Sequence, residues 1–168
     1  TFIASANAIA HAGARPWLFD IAPDNWTIDP NDLERALRED CARDADGVLR
    51  LRATGERIGA IMPVYTLGMP ADMDAIILLA REFALPIVAD AAAALGALYK
   101  GCPIGTLADV TVYSFNGNKT ITTGGGGMVV GSDGGLMKLI KHVTTTARVG
   151  ADYDHDRIGF NYRMTNLQ

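Results

Sequence analysis

Apolar and polar residues alternate along this chain in blocks that predict strands and helices in turn. Five short apolar runs predict strands, at 14–21, 57–64, 87–90, 110–116 and 127–131. The polar segment 41–57 has no such run, so we interpret it as a solvated connection. Strands that alternate with helices predict an α/β layer with a largely parallel sheet and right-handed crossovers.

The intervening segments carry helix signals. Asp29 is a suitable N-cap, and Pro30 then occupies the first helical position of "DPNDLERALRED". A second helix is predicted in "GMPADMDAIILLAREFALP", closed by Pro86, and a third over 135–147. The face that the second helix presents to the core is expected to hold Met73, Ile76, Ile77, Ala80 and Phe83.

Composition and charge exclude several classes of function. With 168 residues, 49% of them hydrophobic and 20% charged, the chain can bury a sizeable core. A net charge of −4 gives no general attraction to nucleic acid or to an anionic membrane. The two cysteines are too few for a disulfide framework, which favours a cytoplasmic protein.

The stretch "VYSFNGNKTITTGGGGMVV" contains a lone lysine, Lys119, beside a run of glycines. It is not a phosphate-binding P-loop, because Asn118 rather than glycine precedes the lysine. The glycines precede a strand instead of a helix, so they do not form a dinucleotide fingerprint. The "DYDHD" segment lacks the glycine and glutamate of a calcium loop, and no metal site is predicted.

Asp90 and Lys119 are the remaining candidates for chemistry. Each follows a predicted strand, and the carboxyl ends of parallel strands meet at one edge of a sheet. A structural ion pair would account for both residues. The small residues at 91–94 and 124–127, however, leave room for a flat ligand, and a desolvated lysine can form a Schiff base. The residues by themselves leave both interpretations open.

The run "VADAAAALGALYKGCPIGTLADVTVYSFNGNKTITTGGGGMVV" resembles the core of the DegT-type (DegT/DnrJ/StrS) nucleotide-sugar aminotransferases, which use pyridoxal 5′-phosphate. The resemblance extends from "TFIASANAIAHAGARPWLFDI" to "GFNYRMTNLQ", and "SFNGNKTITTGGGG" is most similar to the legionaminic acid and bacillosamine branch. The resemblance implies that the chain is an α/β part of the large domain of a fold type I (aspartate aminotransferase-like) enzyme, and that this enzyme works as a homodimer. Residues 1–168 would be its central part, without the N-terminal segment and the C-terminal small domain.

The resemblance also assigns roles to individual residues. Lys119 would hold the cofactor as a Schiff base and carry the proton of transamination, and Asp90 would face the pyridine nitrogen and keep it protonated. Ser114 matches the serine that contacts the cofactor phosphate. Phe2 lies where the family stacks an aromatic ring on the pyridine, and core packing is its alternative explanation. Asn161 matches an asparagine that reaches the partner subunit's phosphate.

Two further positions qualify these assignments. Arg163 is a weaker candidate for the same subunit boundary as Asn161, since a surface ion pair would also account for it. The family usually has glutamine, glutamate or histidine near the cofactor's phenolic oxygen, where this chain has Ala93. This departure affects the expected efficiency more than the reaction type.

The implied reaction is amino transfer from an amino acid, glutamate, to C4 of a UDP-linked 4-keto-6-deoxy-N-acetylhexosamine, as part of bacterial surface-sugar biosynthesis. One alternative is a related sugar dehydratase, which Lys119 disfavours because relatives that dehydrate have histidine there. The other alternative is a non-catalytic module with a pyridoxal phosphate-binding or regulatory role, and Ala93 is the feature that favours it.

Overall fold

The computed structural model describes residues 2–165 and begins with a helix that the hydrophobic pattern did not predict. Helix α1 spans Ile3–His11, and none of its residues is buried. Alanine and isoleucine predominate in it, so its apolar positions show no clear helical period. The strand predicted at 14–21 is wrong: most of this segment is exposed, and its backbone pairing is limited to the bridge between Ile21 and Ile28.

Helix α2 spans Pro30–Glu39 and confirms the predicted capping signal. The Asp29 side chain accepts a hydrogen bond from the backbone N–H of Asn31 at 2.8 Å, which satisfies one of the free N–H groups of the first turn. The buried face of the helix consists of Leu33, Ala36 and Leu37.

The segment after α2 is an antiparallel hairpin rather than the solvated connection that we expected. Strand β1 (Cys41–Arg43) pairs with strand β2 (Leu49–Leu51). Cys41 and Leu49 are buried in the core, where they pack with residues of α2. These strands contain too few apolar residues to reveal alternation in the sequence, so charged neighbours conceal the signal.

Helix α3 spans Met73–Phe83 and supplies the largest apolar face of the layer. Asp72 caps its N-terminus, and Ala84 ends it in the left-handed conformation, before the predicted stop at Pro86. The buried side chains are Met73, Ile76, Leu79 and Ala80. Of the predicted face, Ile77 and Phe83 are only partly buried, and Leu79 takes their place.

The central sheet contains β3 (Val88–Asp90), β6 (Val110–Ser114) and β7 (Gly127–Val130), in that order. A small hairpin of β4 (Leu98–Tyr99) and β5 (Cys102–Pro103) lies between β3 and β6 in sequence. Strand β3 (Val88–Asp90) pairs in parallel with β6 (Val110–Ser114). Strand β7 (Gly127–Val130) adds to the other side of β6 in the antiparallel direction. These strands confirm the runs predicted at 87–90, 110–116 and 127–131.

The predicted strand at 57–64 follows the free side of β3 without forming a continuous ladder. Parallel bridges join Ile61 to Ile87 and Val64 to Asp90. Pro63, which lies between these bridges, has no N–H to donate, although its carbonyl accepts from the Asp90 N–H at 2.9 Å. The segment therefore extends the parallel part of the sheet as an irregular edge.

The C-terminal part follows the sheet with helix α4, Gly134–Thr144, which Asp133 caps by accepting from Gly135 and Leu136. The helix ends three residues before the predicted stop because Thr146 and Ala147 have positive φ angles. A hairpin of β8 (Arg148–Val149) and β9 (Asp154–His155) comes next. Among the helices in residues 2–165, none combines the length and the apolar character that a membrane crossing requires.

Candidate functional site

Asp90 lies at the carboxyl end of β3, on the half-buried face of the central sheet. It is in register with Val112 of β6, and side chains alternate between the faces of a strand. Asp90, Val112 and Ser114 therefore share one face, whereas Thr111 and Tyr113 point to the other, which is buried in the core. The shared face is the part of the sheet that a ligand could reach.

Two donors fix the Asp90 carboxylate in place. The Ser5 hydroxyl donates to Oδ2 at 2.6 Å, and the backbone N–H of Ala92 donates to Oδ1 at 3.0 Å. Ser5 belongs to α1, so this helix lies over the same face of the sheet as Asp90. Sequence reasoning missed Ser5, since 85 residues separate it from Asp90 and no local spacing connects them.

Lys119 lies in the loop 115–126, which leaves the carboxyl end of β6. Phe115 closes the base of this loop: its carbonyl accepts from the Thr123 N–H at 3.0 Å, and its N–H donates to the Gly126 carbonyl at 3.0 Å. A further backbone bond from Lys119 to the Asn116 carbonyl, also at 3.0 Å, forms a turn at the lysine. Because β3 and β6 are parallel, this loop and Asp90 are at the same edge of the sheet.

The structural ion pair that would have explained both residues does not form. The side-chain hydrogen bonds of Asp90 go to Ser5 and to Ala92. Lys119 as a residue is half-buried. Within residues 2–165, no ion pair joins Asp90 to Lys119, and the Lys119 ammonium has no hydrogen-bond partner. An amine without a partner is available to react or to bind a ligand.

Ser114 ends β6 on the same face as Asp90. Its Oγ accepts a long hydrogen bond of 3.3 Å from the Asn116 N–H, which leaves the hydroxyl proton free to donate to a ligand. The residue thus lies between the sheet and the loop that carries Lys119. The predicted strand continued to residue 116, whereas β6 ends at Ser114. The contact of Ser114 with phosphate stays a prediction.

Phe2 is the N-cap of α1, one turn before Ser5, and 73% of its surface is exposed. The core packing that was its alternative explanation is therefore wrong for the described chain. Asn161 forms an isolated bridge with Thr145 after α4. In the described range it makes no hydrogen bond to Asp90, Ser114 or Lys119. Its predicted contact across a subunit boundary stays a prediction, as does that of Arg163, which is exposed.

The small residues around the site have partly structural roles. Ala91 and Ala94 are fully packed in the core, so they do not line an open space. A Cβ on Gly127 would lie 2.6 Å from the Tyr113 carbonyl oxygen, which makes glycine a requirement of the β6–β7 pairing. Gly124, with φ of +81° and nothing within 4 Å of an added Cβ, is a position where the loop retains free space.

Comparison with known proteins places the chain in a family. The model of the DegT/DnrJ/EryC1/StrS aminotransferase family matches residues 1–168. GDP-perosamine synthase of Escherichia coli O157:H7 is 39% identical over 168 residues, which cover 99% of this chain and 42% of that protein. UDP-4-amino-4,6-dideoxy-N-acetyl-beta-L-altrosamine transaminase of Campylobacter jejuni (serotype O:2) is 36% identical over 170 residues, with coverages of 99% and 41%.

Solved structures agree with the sequence relatives. A DegT DnrJ EryC1 StrS aminotransferase from Brucella abortus superposes with a TM-score of 0.88 at 28% identity, over 100% of this chain and 43% of that one. NtdA of Bacillus subtilis, solved with bound cofactor PMP, gives 0.82 at 26% identity, over 100% and 34%. The chain belongs to the DegT/DnrJ/EryC1/StrS aminotransferase family. It spans about two fifths of the length of the curated relatives it matches.

The match confirms the predicted family, the fold type I architecture and, at the level of the family, the enzyme class and the cofactor pyridoxal phosphate. The side chains at this edge of the sheet fit that cofactor. Lys119 offers an amine without a partner. Asp90 offers a carboxylate whose oxygens each receive one donor, so each retains a lone pair for a ring N–H. No group of three metal-binding side chains is found in the part of the chain that the structure describes.

Proposed function

We propose that this chain is the central, cofactor-binding part of the large domain of a longer aminotransferase. In this proposal the enzyme moves an amino group from glutamate to C4 of a UDP-linked 4-keto-6-deoxy-N-acetylhexosamine, in the synthesis of bacterial surface sugars. Membership of the aminotransferase family supports the reaction class. The observation that carries the proposal for this site is the partnerless Lys119 amine at the same sheet edge as the Asp90 carboxylate.

Each residue has a distinct part in the proposed chemistry. When bound, pyridoxal phosphate supplies an electron-accepting ring that stabilises a carbanion at the donor's α-carbon. Lys119 would hold the cofactor and, once released from it, would take the proton from the donor's α-carbon and deliver it to C4′ of the cofactor. Asp90 keeps the pyridine nitrogen protonated by placing a negative charge beside it. With the cofactor bound, the Ser114 hydroxyl would donate to the phosphate, and the Phe2 ring would cover one face of the pyridine.

The proposed substrate rests on two supports. The motif "SFNGNKTITTGGGG" resembles the legionaminic acid and bacillosamine branch. A Campylobacter relative is named as a transaminase of a UDP-linked, 4-amino-4,6-dideoxy sugar, which agrees with amination at C4. The name of the Escherichia relative contains a GDP-linked sugar instead, so the nucleotide is the part of the substrate that an experiment has to decide first.

We also propose that the enzyme is a cytoplasmic homodimer in which Asn161 and Arg163 reach the partner subunit's cofactor. Asn161 is held by its bridge to Thr145, and it makes no hydrogen bond to Asp90, Ser114 or Lys119 within residues 2–165. Helix α1 has no buried residue, and Phe2 and Ile3 expose 73% and 66% of their surfaces. A helix with exposed apolar residues next to a binding site is typical of a region that becomes covered in a larger assembly.

The test uses the full-length protein that contains this sequence. We expect a visible absorbance band on adding pyridoxal phosphate, a shift of that band with glutamate, and loss of the band in Lys119→Ala. A panel of UDP- and GDP-linked 4-keto sugars then identifies the acceptor through the consumption of glutamate. A protein that stays colourless with the cofactor would refute its assignment as a pyridoxal phosphate-dependent enzyme. A coloured protein that consumes no glutamate with any sugar would support the non-catalytic alternative.

A further inference from the structure

The hydrogen bond between Ser5 and Asp90 joins two distant parts of the chain at the candidate site. Its length of 2.6 Å is typical of a hydroxyl that donates to an ionised carboxylate. The bond from the Ala92 N–H holds the other carboxylate oxygen at 3.0 Å. Together, a side chain from α1 and a backbone group from the turn after β3 restrict the rotation of the carboxylate.

Helix α1 has few other attachments to the sheet. None of its residues is buried, and none belongs to the hydrophobic core. Among the side chains of α1, which the structure describes in full, Ser5 is the one that makes a hydrogen bond. The contact with Asp90 is therefore a specific attachment, and apolar packing inside the chain does not account for the position of the helix.

The same helix carries Phe2 at its N-terminus. The Ser5 N–H donates to the Phe2 carbonyl at 3.4 Å, so the two residues belong to one turn. A fixed distance between Ser5 and Asp90 consequently also limits where Phe2 can lie relative to the carboxylate. One hydroxyl thus connects two residues that the proposed function assigns to the same cofactor ring.

We propose that Ser5 is a positioning residue, which orients the Asp90 carboxylate toward the pyridine nitrogen and keeps the α1 turn with Phe2 in place above the ring. The inference rests on the proposed function, because it needs pyridoxal phosphate at this edge of the sheet. The hydroxyl acts through Asp90: it donates to one oxygen and leaves a lone pair of the carboxylate for the ring N–H. Without the donor, the carboxylate is held on one side only.

The test compares two substitutions of equal shape in the full-length protein. Ser5→Thr keeps the hydroxyl, whereas Ser5→Val has the same branched form without it. We expect Ser5→Thr to bind pyridoxal phosphate within about twofold of wild type, and Ser5→Val to raise the dissociation constant about tenfold. The measurements are titration of the cofactor by absorbance and, as an independent readout, the pH at which the absorbance of the bound cofactor changes.

A double-mutant cycle separates positioning from a general effect on α1. In an Asp90→Ala background the hydroxyl has no carboxylate to orient, so Ser5→Val is expected to have little further effect on cofactor affinity. An equal loss in both backgrounds would overturn the inference, because Ser5 would then act on the helix alone. Ser5→Ala, which adds no bulk, replaces Ser5→Val if circular dichroism shows that the valine variant is unfolded.

The outcomes distinguish this inference from the proposed function. If the wild-type protein binds pyridoxal phosphate, but Ser5→Thr and Ser5→Val have equal dissociation constants and equal pH dependence, the role of Ser5 is refuted and the proposed function stands. If the wild-type protein binds no pyridoxal phosphate, both are refuted. A tenfold loss in Ser5→Val that Ser5→Thr restores, and that disappears in the Asp90→Ala background, supports the inference.

Discussion

Asp90 and Lys119 lie at the same edge of the central sheet and form no ion pair with each other. Ser5 and the backbone of Ala92 hold the carboxylate, while the lysine extends from a loop whose backbone is closed at Phe115. This separation has a physical consequence. An amine and a carboxylate that do not pair with each other can both act on one ligand, as a cofactor with a carbonyl group and a ring nitrogen requires.

Because Lys119 forms no ion pair with Asp90, its substitution should have little effect on the stability of the protein. Lys119→Ala removes no hydrogen bond of the described chain, so we expect the free energy of unfolding of the cofactor-free protein to change by less than about 0.5 kcal/mol. Urea denaturation followed by circular dichroism measures it. A loss of about 3 kcal/mol or more, as when one partner of a buried ion pair is removed, would contradict the arrangement described here.

Substitution of Asp90 tests whether the negative charge of its carboxylate contributes to catalysis. Asp90→Asn keeps the shape of the side chain but removes its charge, so we expect the cofactor to bind while transamination becomes about 10²–10³-fold slower. Single-turnover kinetics with glutamate measure the rate. Asp74→Asn is a matched control, because Asp74 is an exposed partner of Lys100 and is expected to leave the rate unchanged. An undiminished rate in Asp90→Asn would refute the role of this carboxylate.

Two glycines test the packing of the sheet that supports the site. A methyl group at Gly127 would lie 2.6 Å from the Tyr113 carbonyl oxygen, so Gly127→Ala forces β6 and β7 apart and is expected to cost about 1–3 kcal/mol. Gly134 lies at the start of α4 with nothing within 4 Å of an added Cβ. Gly134→Ala should therefore leave stability unchanged or raise it by up to about 1 kcal/mol.

Thermal or urea unfolding of both glycine variants gives the comparison. Equal stabilities for Gly127→Ala and Gly134→Ala would show that the β6–β7 register described here is wrong. A destabilised Gly127→Ala protein is also expected to bind the cofactor more weakly, since Ser114 pairs with Gly127.

The two cysteines are expected to differ in reactivity. Cys41 is 3% exposed, and burial, with a smaller contribution from Asp40, raises the pKa of its thiol, so little thiolate forms near neutral pH. Cys102 is exposed. Iodoacetamide at pH 7.5 should modify Cys102 in the native protein and both cysteines in urea, as peptide mass spectrometry can show. Rapid native alkylation of Cys41 would mean that the β1–β2 hairpin is not packed against α2.

The part of the site that the sequence predicted depends on strand topology. A buried apolar run precedes Asp90 and another precedes Lys119. These two runs predicted that both residues lie at one edge of the sheet, because consecutive parallel strands direct their carboxyl ends to the same edge. Strand topology could not predict the contact of Ser5 with Asp90. This contact depends on the path of α1 over the sheet, and no pattern in the first residues specifies that path.

The errors in the fold have a common physical cause. The hairpin at 41–51 contains only short strands, and its charged residues concealed the buried Cys41 and Leu49. The segment 14–21 shows the reverse: it is apolar enough for a strand, yet its side chains are mostly exposed. Hydrophobicity predicts burial only where another element covers the residue, and the sequence of one segment does not contain that information.

The most direct test of the central claim locates the lysine that holds the cofactor. Full-length protein loaded with pyridoxal phosphate is treated with sodium borohydride, which links the cofactor permanently to the amine that holds it, and the modified peptide is identified by mass spectrometry. We predict a single modified residue, Lys119. Modification at Lys100, Lys138 or Lys141 instead, or no modified lysine at all, would contradict the account.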